Sequence, residues 1–411
     1  MTIPFKMKPE IIKQKMLNKL KYHPIVGDLA EMIRKNKWED KFGKAIKIAN
    51  DKNVPVIEHV KTLKQYLDWI NELLYWVPTE NHSGQNIDDH ISAFYFIADQ
   101  KPLSALQNKI IPYDTSLPLT PFSDWMEKYA NALGLFLDTP ESLTKESEQT
   151  LYDSPIYNMD EYLRPRGGWK SFNQIFARYF KPGYRPIAAI SDQTVIISPA
   201  DSTFAGQWEI RENSNVTVKN LNWKISELLE GSPYKDRFKD GLFMHAYLSP
   251  TDYHRQHAPI GGKVLEARVI QGQVYQEVAA KPADDIHGKH DLHLRRVYDD
   301  SDNTGYQFTQ TRGLIVLDTP IGLVGVLPIG MSQVSSVILT AEVGVTLRKG
   351  EEISYFQFGG SDIIMVFESS SNISFTARPG VHYKMGNQDC PGISGTLTTL
   401  AHSFLKLHRN V

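Results

Sequence analysis

Three groups of residues in this chain have types and spacings suited to covalent chemistry. Phe358-Gly359-Gly360-Ser361-Asp362 places a hydroxyl directly after a Gly-Gly pair, between two runs rich in β-branched and aromatic residues. Glycine admits backbone shapes closed to larger residues, so at such a corner the Ser361 hydroxyl can reach the carbonyl of Gly360. Ser198-Pro199-Ala200-Asp201-Ser202 sets a carboxylate on a tight turn just after a strand. Leu248-Ser249-Pro250-Thr251-Asp252-Tyr253-His254-Arg255-Gln256-His257 carries two imidazoles three residues apart, on one face if the segment makes a helical turn. Each group also has a plain structural reading: a glycine hairpin holding a serine, an aspartate bonding its own turn, a pair of packed histidines. A His-x-x-His pair suits a metal as well, but no cysteine or carboxylate partner stands at ligand spacing, so no metal is expected. A fourth group, His287, His290 and His293, followed by Arg295 and Arg296, reads as a polar loop between strands.

The totals set the frame for these groups. With 411 residues, two domains are the natural expectation, with ample material for a core. A formal net charge of −2 gives no reason to expect nucleic acid. Cys390 is the single cysteine, which rules out an intrachain disulfide and suits a reducing compartment. Met1 to Lys21 has lysines throughout and no continuous apolar run, so it does not read as a secretory signal. The apolar region Gly313 to Val345 is broken by Pro320, Pro328 and several glycines and reads as buried strands. A cytoplasmic protein is expected.

Two unlike halves must position the chemistry. Residues 1–165 read as an all-α accessory domain, with helices near Pro24–Lys35, Lys37–Ala49, Glu58–Leu74, Ile87–Ala98 and Pro121–Leu137. Thr120, Pro121 and Asp124 form a helix-start signal for the last of these. Within Met1–Lys21, Ile11, Ile12, Met16, Leu17 and Leu20 face one way among lysines. Such a helix packs on its own protein or makes weak contact with an anionic membrane surface. Thr139 to Gly168 reads as a linker or draped segment rich in Pro, Ser, Glu and Tyr.

Residues 166–411 read as β-rich, barrel- or sandwich-like, after a short helix over Ser171–Phe180. Strands are expected near Thr194–Ser198, Val216–Val218, Gly241–Tyr247, Lys263–Ile270, Val274–Val278, Leu314–Asp318, Leu323–Val326, Val334–Leu339, Glu352–Phe358 and Asp362–Phe367. Gln271-Gly272 reads as a hairpin turn, and a helix near Asn222–Leu229 interrupts the strands. The fold class is α+β.

An ordered set of motifs in this second half resembles the phosphatidylserine decarboxylase family, whose members make their own pyruvoyl group. The set comprises Phe180-Lys181-Pro182-Gly183-Tyr184-Arg185-Pro186-Ile187, the Ser-Pro-x-Asp turn and the Leu-Ser-Pro-x-Asp-Tyr-His-Arg-x-His block. It ends with Lys349-Gly350-Glu351-Glu352 and Phe358-Gly359-Gly360-Ser361. By position, Asp201, His257 and Ser361 match the family's self-processing triad, and His254 matches the histidine implicated in decarboxylation. Two departures stand out. The family's common Leu-Gly-Ser-Thr corner is Gly359-Gly360-Ser361-Asp362 here, and Ser202 replaces the glycine usual after the triad aspartate. The Gly-Gly-Ser form and the helical N-terminal half look similar to a soluble branch that includes decarboxylases of free aromatic amino acids such as tryptophan.

The resemblance implies a definite chemistry. His257, oriented by Asp201, takes the Ser361 proton; Ser361 attacks Gly360, and cleavage between 360 and 361 leaves a pyruvoyl cap on residue 361. That ketone forms a Schiff base with a substrate amine and serves as the electron sink for loss of CO2, with no pyridoxal phosphate. His254 then reprotonates the α-carbon. The substrate is an amino-acid-type molecule, either a phosphatidylserine head group or a free, aromatic amino acid. His287, His290 and His293 fall where the family places residues near the substrate, though a solvated loop is the plain alternative. The oligomeric state, a homo-oligomer included, stays open. Two other readings use the same residues: a serine hydrolase, against which stands Ile363 where a nucleophile elbow needs glycine, and a binding module that does not mature.

Overall fold

The computed structural model describes residues 22–110, 117–211, 215–218, 221–282, 290–294, 305–331, 336–358, 361–386 and 393–395. The cationic segment Met1–Lys21, His287 and Gly360 lie outside them.

Helices form where the apolar spacing and capping residues require them. Pro24–Asn36, Glu39–Asn50, Leu63–Leu73, Asn86–Ala98 and Pro121–Leu137 follow the expected order. Thr120 Oγ1 accepts the Ser123 N–H at 3.2 Å and Thr62 Oγ1 that of Gln65 at 3.2 Å, so each hydroxyl satisfies one of the orphan donors at a helix start. Their buried faces are strongly aromatic: Phe94, Phe122, Trp125 and Tyr129 stack or tilt against one another with centroids 4.9 to 6.3 Å apart. Polar tips of these rings are spent on backbone, Trp125 Nε1 donating to Ile25 O at 2.8 Å and Tyr129 Oη to Ile70 O at 2.6 Å. The segment expected as linker holds a further helix, Lys145–Asp153. Its start is a reciprocal cap, Thr144 Oγ1 taking the Ser147 N–H and Ser147 Oγ the Thr144 N–H. Serine in place of the usual Glu or Gln hid that signal.

The β-rich half is built on an eight-stranded antiparallel sheet. Its order is Thr346–Leu347, Gly262–Ile270, Arg312–Thr319, Gly322–Gly330, Ser361–Phe367, Leu242–Leu248, Ser202–Glu209 and His382–Tyr383. Ser361–Phe367 is therefore a central strand, with Ser361 opposite Gly330 on one side and Leu248 on the other. A smaller sheet joins Val337–Leu339, Glu352–Phe356 and Arg255–His257.

One strand went unread and two expectations are corrected. Ser202–Glu209 is a strand that went unread because its alternation breaks at Gly206, where the pairing with Leu242–Leu248 shifts register. Gln271-Gly272 closes no hairpin: the strand before it pairs with Arg312–Thr319, and Gln273 bridges to Gln310. The strand expected over Val274–Val278 begins instead at Val278 and pairs, as Val278–Pro282, with His290–Leu294.

Alternation along the central strand divides the core in two. Ile364 and Val366 face a cluster with Phe243, Leu314, Val316, Trp223 and Phe308. Ile363, Met365 and Phe367 face the other way, into a continuous cluster that also holds the buried side chains of the helical half. Ser361 has the parity of this second set. The helices thus pack on the face of the sheet that carries the hydroxyl.

Candidate active site around Ser361

Ser361 opens the central strand and is 1% exposed. Its Oγ lies 3.4 Å from Nδ1 of His254, which is fully buried. Pro250 and His254 sit at either end of one turn, and the His254 Nε2 lies 3.3 Å from the Pro250 carbonyl oxygen. A carbonyl only accepts, so Nε2 carries the proton and Nδ1 offers its lone pair toward the serine. The ring is held flat against Phe176, centroids 3.8 Å apart, with Phe356 at its edge. Burial, and then the charge of Arg178, push the His254 pKa down to about 3. The imidazole is neutral at physiological pH, with its unprotonated nitrogen toward the hydroxyl. Arg178 is itself buried, its Nη2 donating to Thr251 O at 2.8 Å and its guanidinium lying 4.1 Å from the Tyr162 ring centroid.

The expected relay from Asp201 through His257 to Ser361 is not the one this structure draws. Both nitrogens of His257 are engaged elsewhere: Nδ1 donates to Gly350 O at 2.8 Å, and Nε2 accepts from the Tyr253 hydroxyl at 2.9 Å. Gly350 takes a left-handed φ of 83°, and a Cβ there would stand 2.5 Å from Ile187, so glycine is needed to present this carbonyl. Asp201 forms a two-pronged pair with Arg185, Nε to Oδ1 at 3.0 Å and Nη2 to Oδ2 at 2.6 Å, and its Oδ1 also accepts the Met385 N–H at 2.7 Å. Arg185 reaches Glu161 with its remaining nitrogen at 2.7 Å. Among the described residues no hydrogen bond joins His257 to Asp201 or to Ser361. The physical reason is charge: a buried guanidinium beside Asp201 claims the carboxylate more strongly than a neutral imidazole does.

Asp362 points to the opposite face of its strand, where its Oδ2 meets His245 Nε2 at 2.9 Å and Gln307 Nε2 at 3.3 Å; all three are buried. This departure from the family corner is thus a satisfied polar trio rather than a second acid at the hydroxyl.

A small cavity of about 20 Å³ borders Ser361 and Asp362 and has room for about one water. Tyr247, Leu248, Pro250, Tyr306 and Met331 give it largely apolar and aromatic walls, with Gln276 beside them. Asp88 and Ile91 on helix Asn86–Ala98 complete it, so the helical half supplies part of the lining. Gln276 donates to Ser92 Oγ of the same helix at 3.2 Å, and Asp99 Oδ2 accepts the Val278 N–H at 3.0 Å. His290 and His293 lie on the strand paired with Val278–Pro282, which corrects the loop expected there. Their strand packs beside helix Asn86–Ala98.

Sequence reading missed Arg185, Phe176, Asp88 and Tyr306. Arg185 and Phe176 sat in quoted segments without a role, while Asp88, a partly exposed carboxylate, and Tyr306 are brought beside Ser361 only by the fold. Among the described residues no group of three His, Cys, Asp or Glu side chains is placed to hold a metal, and no helix is long and apolar enough to cross a membrane.

Residues 172–390 match the phosphatidylserine decarboxylase family. The chain is 31% identical over 233 residues to phosphatidylserine decarboxylase proenzyme 3 of Schizosaccharomyces pombe, covering 53% of this chain and 22% of that protein. It is 30% identical over 251 residues to the phosphatidylserine decarboxylase proenzyme of Fusobacterium nucleatum, 60% of this chain and 73% of the relative. For the proenzyme of Geobacillus kaustophilus the figures are 30% over 216 residues, 52% and 73%. Residues before 172, which include most of the helices, fall outside the family match.

Proposed function

Since the chain belongs to the phosphatidylserine decarboxylase family, a family of carboxy-lyases, we propose that it is a decarboxylase that cuts itself ahead of Ser361 and works through the pyruvoyl group so made. The observation that carries this reading is the buried Ser361 hydroxyl facing the unprotonated nitrogen of a neutral histidine, His254.

The self-cutting follows from those two groups. His254 Nδ1 takes the Ser361 proton as Oγ attacks the Gly360 carbonyl carbon. The Gly360–Ser361 C–N bond breaks, the serine nitrogen leaves as an amine, and Gly360 becomes an ester on Oγ. Loss of the Ser361 α-proton then expels the Gly360 carboxylate from Cβ, leaving a dehydroalanine. Addition of water to its imine form releases ammonia and leaves the ketone. Contacts of 3.4 Å are loose for proton transfer, as resting sites often are, and shorten as the reaction proceeds. His257 positions: it ties the Gly350 turn to Tyr253, the neighbour of His254. Asp201 positions too, joining Arg185 and the backbone of Met385.

The residues at Ser361 fit the pyruvoyl group, because the side chain it is made from lies buried beside a base and a cavity. When present, its ketone takes up a substrate amine and accepts the electron pair released with CO2. Burial around Ser361 and the apolar walls exclude water, and His254 Nδ1 is placed to pass to the substrate α-carbon a proton it first takes from the substrate ammonium.

For the substrate we favour a free amino acid with an aromatic side chain, such as tryptophan, over a phosphatidylserine head group. Helix Asn86–Ala98 lies over Ser361, with Tyr247, Tyr306, Met331 and Ile91 around it; the cavity of about 20 Å³ admits about one water and must widen to take any amino acid. The printed names of the relatives favour the lipid, so both are assayed. CO2 release from phosphatidylserine vesicles is measured beside release from free tryptophan, tyrosine and serine. Release from tryptophan supports the reading, and release confined to the lipid overturns it.

A further inference from the structure

The strand Glu352–Phe356 leads to the scissile bond through Gln357 and Phe358, and this lead is gripped by residues far away in the chain. The Phe358 N–H donates to Asn173 Oδ1 at 3.0 Å. Asn173 is in turn held by its Nδ2, which donates to Asp138 Oδ1 at 3.0 Å and to Gly134 O at 3.2 Å at the end of helix Pro121–Leu137. Gln357 Nε2 reaches the same carboxylate at 3.1 Å. The Phe358 ring is boxed by Phe172, Phe176 and Trp76, with centroids 5.2, 5.6 and 6.0 Å away. Phe358 and Asn173 are 2% and 3% exposed, so the bond between them is shielded from bulk water, while Asp138 and its bond to Gln357 lie at the surface.

One short helix, Phe172–Phe176, therefore does two things at once. Asn173 holds the chain two residues before Gly360, and Phe176, one turn on, stacks on the base His254. Its own placement comes from the helical half: the Phe172 N–H donates to Ser142 Oγ at 3.0 Å, and Ser142 donates to Leu137 O at 3.0 Å.

We propose that Asn173 and Asp138 are positioning residues for self-cutting, and that the helical half acts through them to set the peptide bond ahead of Ser361 within reach of its hydroxyl. The inference rests on the self-processing reading above. Opposite an aspartate at 138 an asparagine is required, because one oxygen accepts from Phe358 while the amide nitrogen donates to Asp138. A peptide carbonyl displaced by about 1 Å from its attacking atom loses on the order of 100-fold in rate.

The test follows appearance of the 51-residue fragment from full-length chain by denaturing electrophoresis and intact mass. The wild type is compared with Asn173→Ala, Asn173→Asp and the exchange Asn173→Asp/Asp138→Asn. The exchange keeps an oxygen for Phe358 and restores a donor–acceptor pair between 173 and 138, whereas Asn173→Asp alone sets two carboxylates face to face. Expected are a 10- to 100-fold slower cut for Asn173→Ala and Asn173→Asp, and recovery of most of the rate in the exchange. Melting curves run alongside identify variants that fail to fold, and the exchange decides the matter if Asn173→Ala does not. The clamp is overturned if the wild type cuts and Asn173→Ala cuts equally fast, or if the folded exchange is no faster than Asn173→Asp. A wild type that never cuts overturns the self-processing reading itself, and is told apart by that result.

Discussion

His254 and Ser361 meet through one specific pair of atoms, imidazole Nδ1 and hydroxyl Oγ, 3.4 Å apart with both side chains buried. The other imidazole nitrogen is fixed as a donor by the Pro250 carbonyl, so the tautomer is set by backbone and not by a carboxylate. A histidine in this setting has its tautomer fixed without an orienting acid.

That assignment separates two histidines which sequence alone treats alike. His254→Ala is expected to slow self-cutting by at least about 100-fold, the usual scale of a lost general base. His257→Asn keeps a donor for the Gly350 carbonyl and is expected to cut within about tenfold of the wild type. Timed electrophoresis of both variants checks this, and the reverse ranking restores His257 as the base.

The depressed pKa of His254 has its own signature. With a value of about 3, the base form dominates throughout the neutral and mildly acid range, so cutting is expected to be level between pH 8 and pH 5. A histidine with the ordinary value near 6.5 loses most of its base form over that span. Stability follows the same shift. The unfolded chain binds a proton at His254 between about pH 6.5 and 3 while the folded chain does not, so this contribution is complete above pH 6.5 and is lost as pH falls toward 3. Urea titrations at pH 7 and pH 4.5 are expected to show a smaller drop for His254→Phe than for the wild type.

Asp201 is expected to matter through Arg185. Both partners are buried, and removing one member of such a pair costs about 3–5 kcal/mol. Asp201→Ala should lower the urea midpoint by a corresponding amount, with cutting lost in proportion to folded protein. A variant as stable as the wild type that still fails to cut would return Asp201 to the relay expected from its position in the motif.

Much of the architecture was legible. Helix periodicity and caps located five helices, and β-branched runs located the central strand that begins at Ser361, because local pattern and tertiary burial agree there. The candidate residues were also legible as a set, since Asp201, His254, His257 and Ser361 all fall in motifs. Their connections were not. Whether His254 or His257 faces the hydroxyl depends on the turn from Pro250 and on the ring of Phe176, which arrives from about 80 residues away. Asp88 and Ile91 give no sign in the sequence that they border Ser361, because they reach it only when helix Asn86–Ala98 docks on the sheet.

The cavity wall offered by that helix gives a prediction about turnover rather than maturation. Ile91→Trp fills the space beside Ser361 and is expected to leave self-cutting within about threefold while reducing CO2 release from free tryptophan at least tenfold. Asp88→Asn is expected to change KM more than kcat, as for a residue that meets the substrate away from the reacting carbon. Equal loss of cutting and turnover in Ile91→Trp would place the helix in folding alone.

Intact mass of the purified wild-type chain tests the central claim most directly. The account predicts two pieces, residues 1–360 and 361–411, the smaller lighter by one ammonia than a serine-started peptide and gaining phenylhydrazine on its first residue. A single 411-residue species that persists after long incubation and takes up no phenylhydrazine would contradict it.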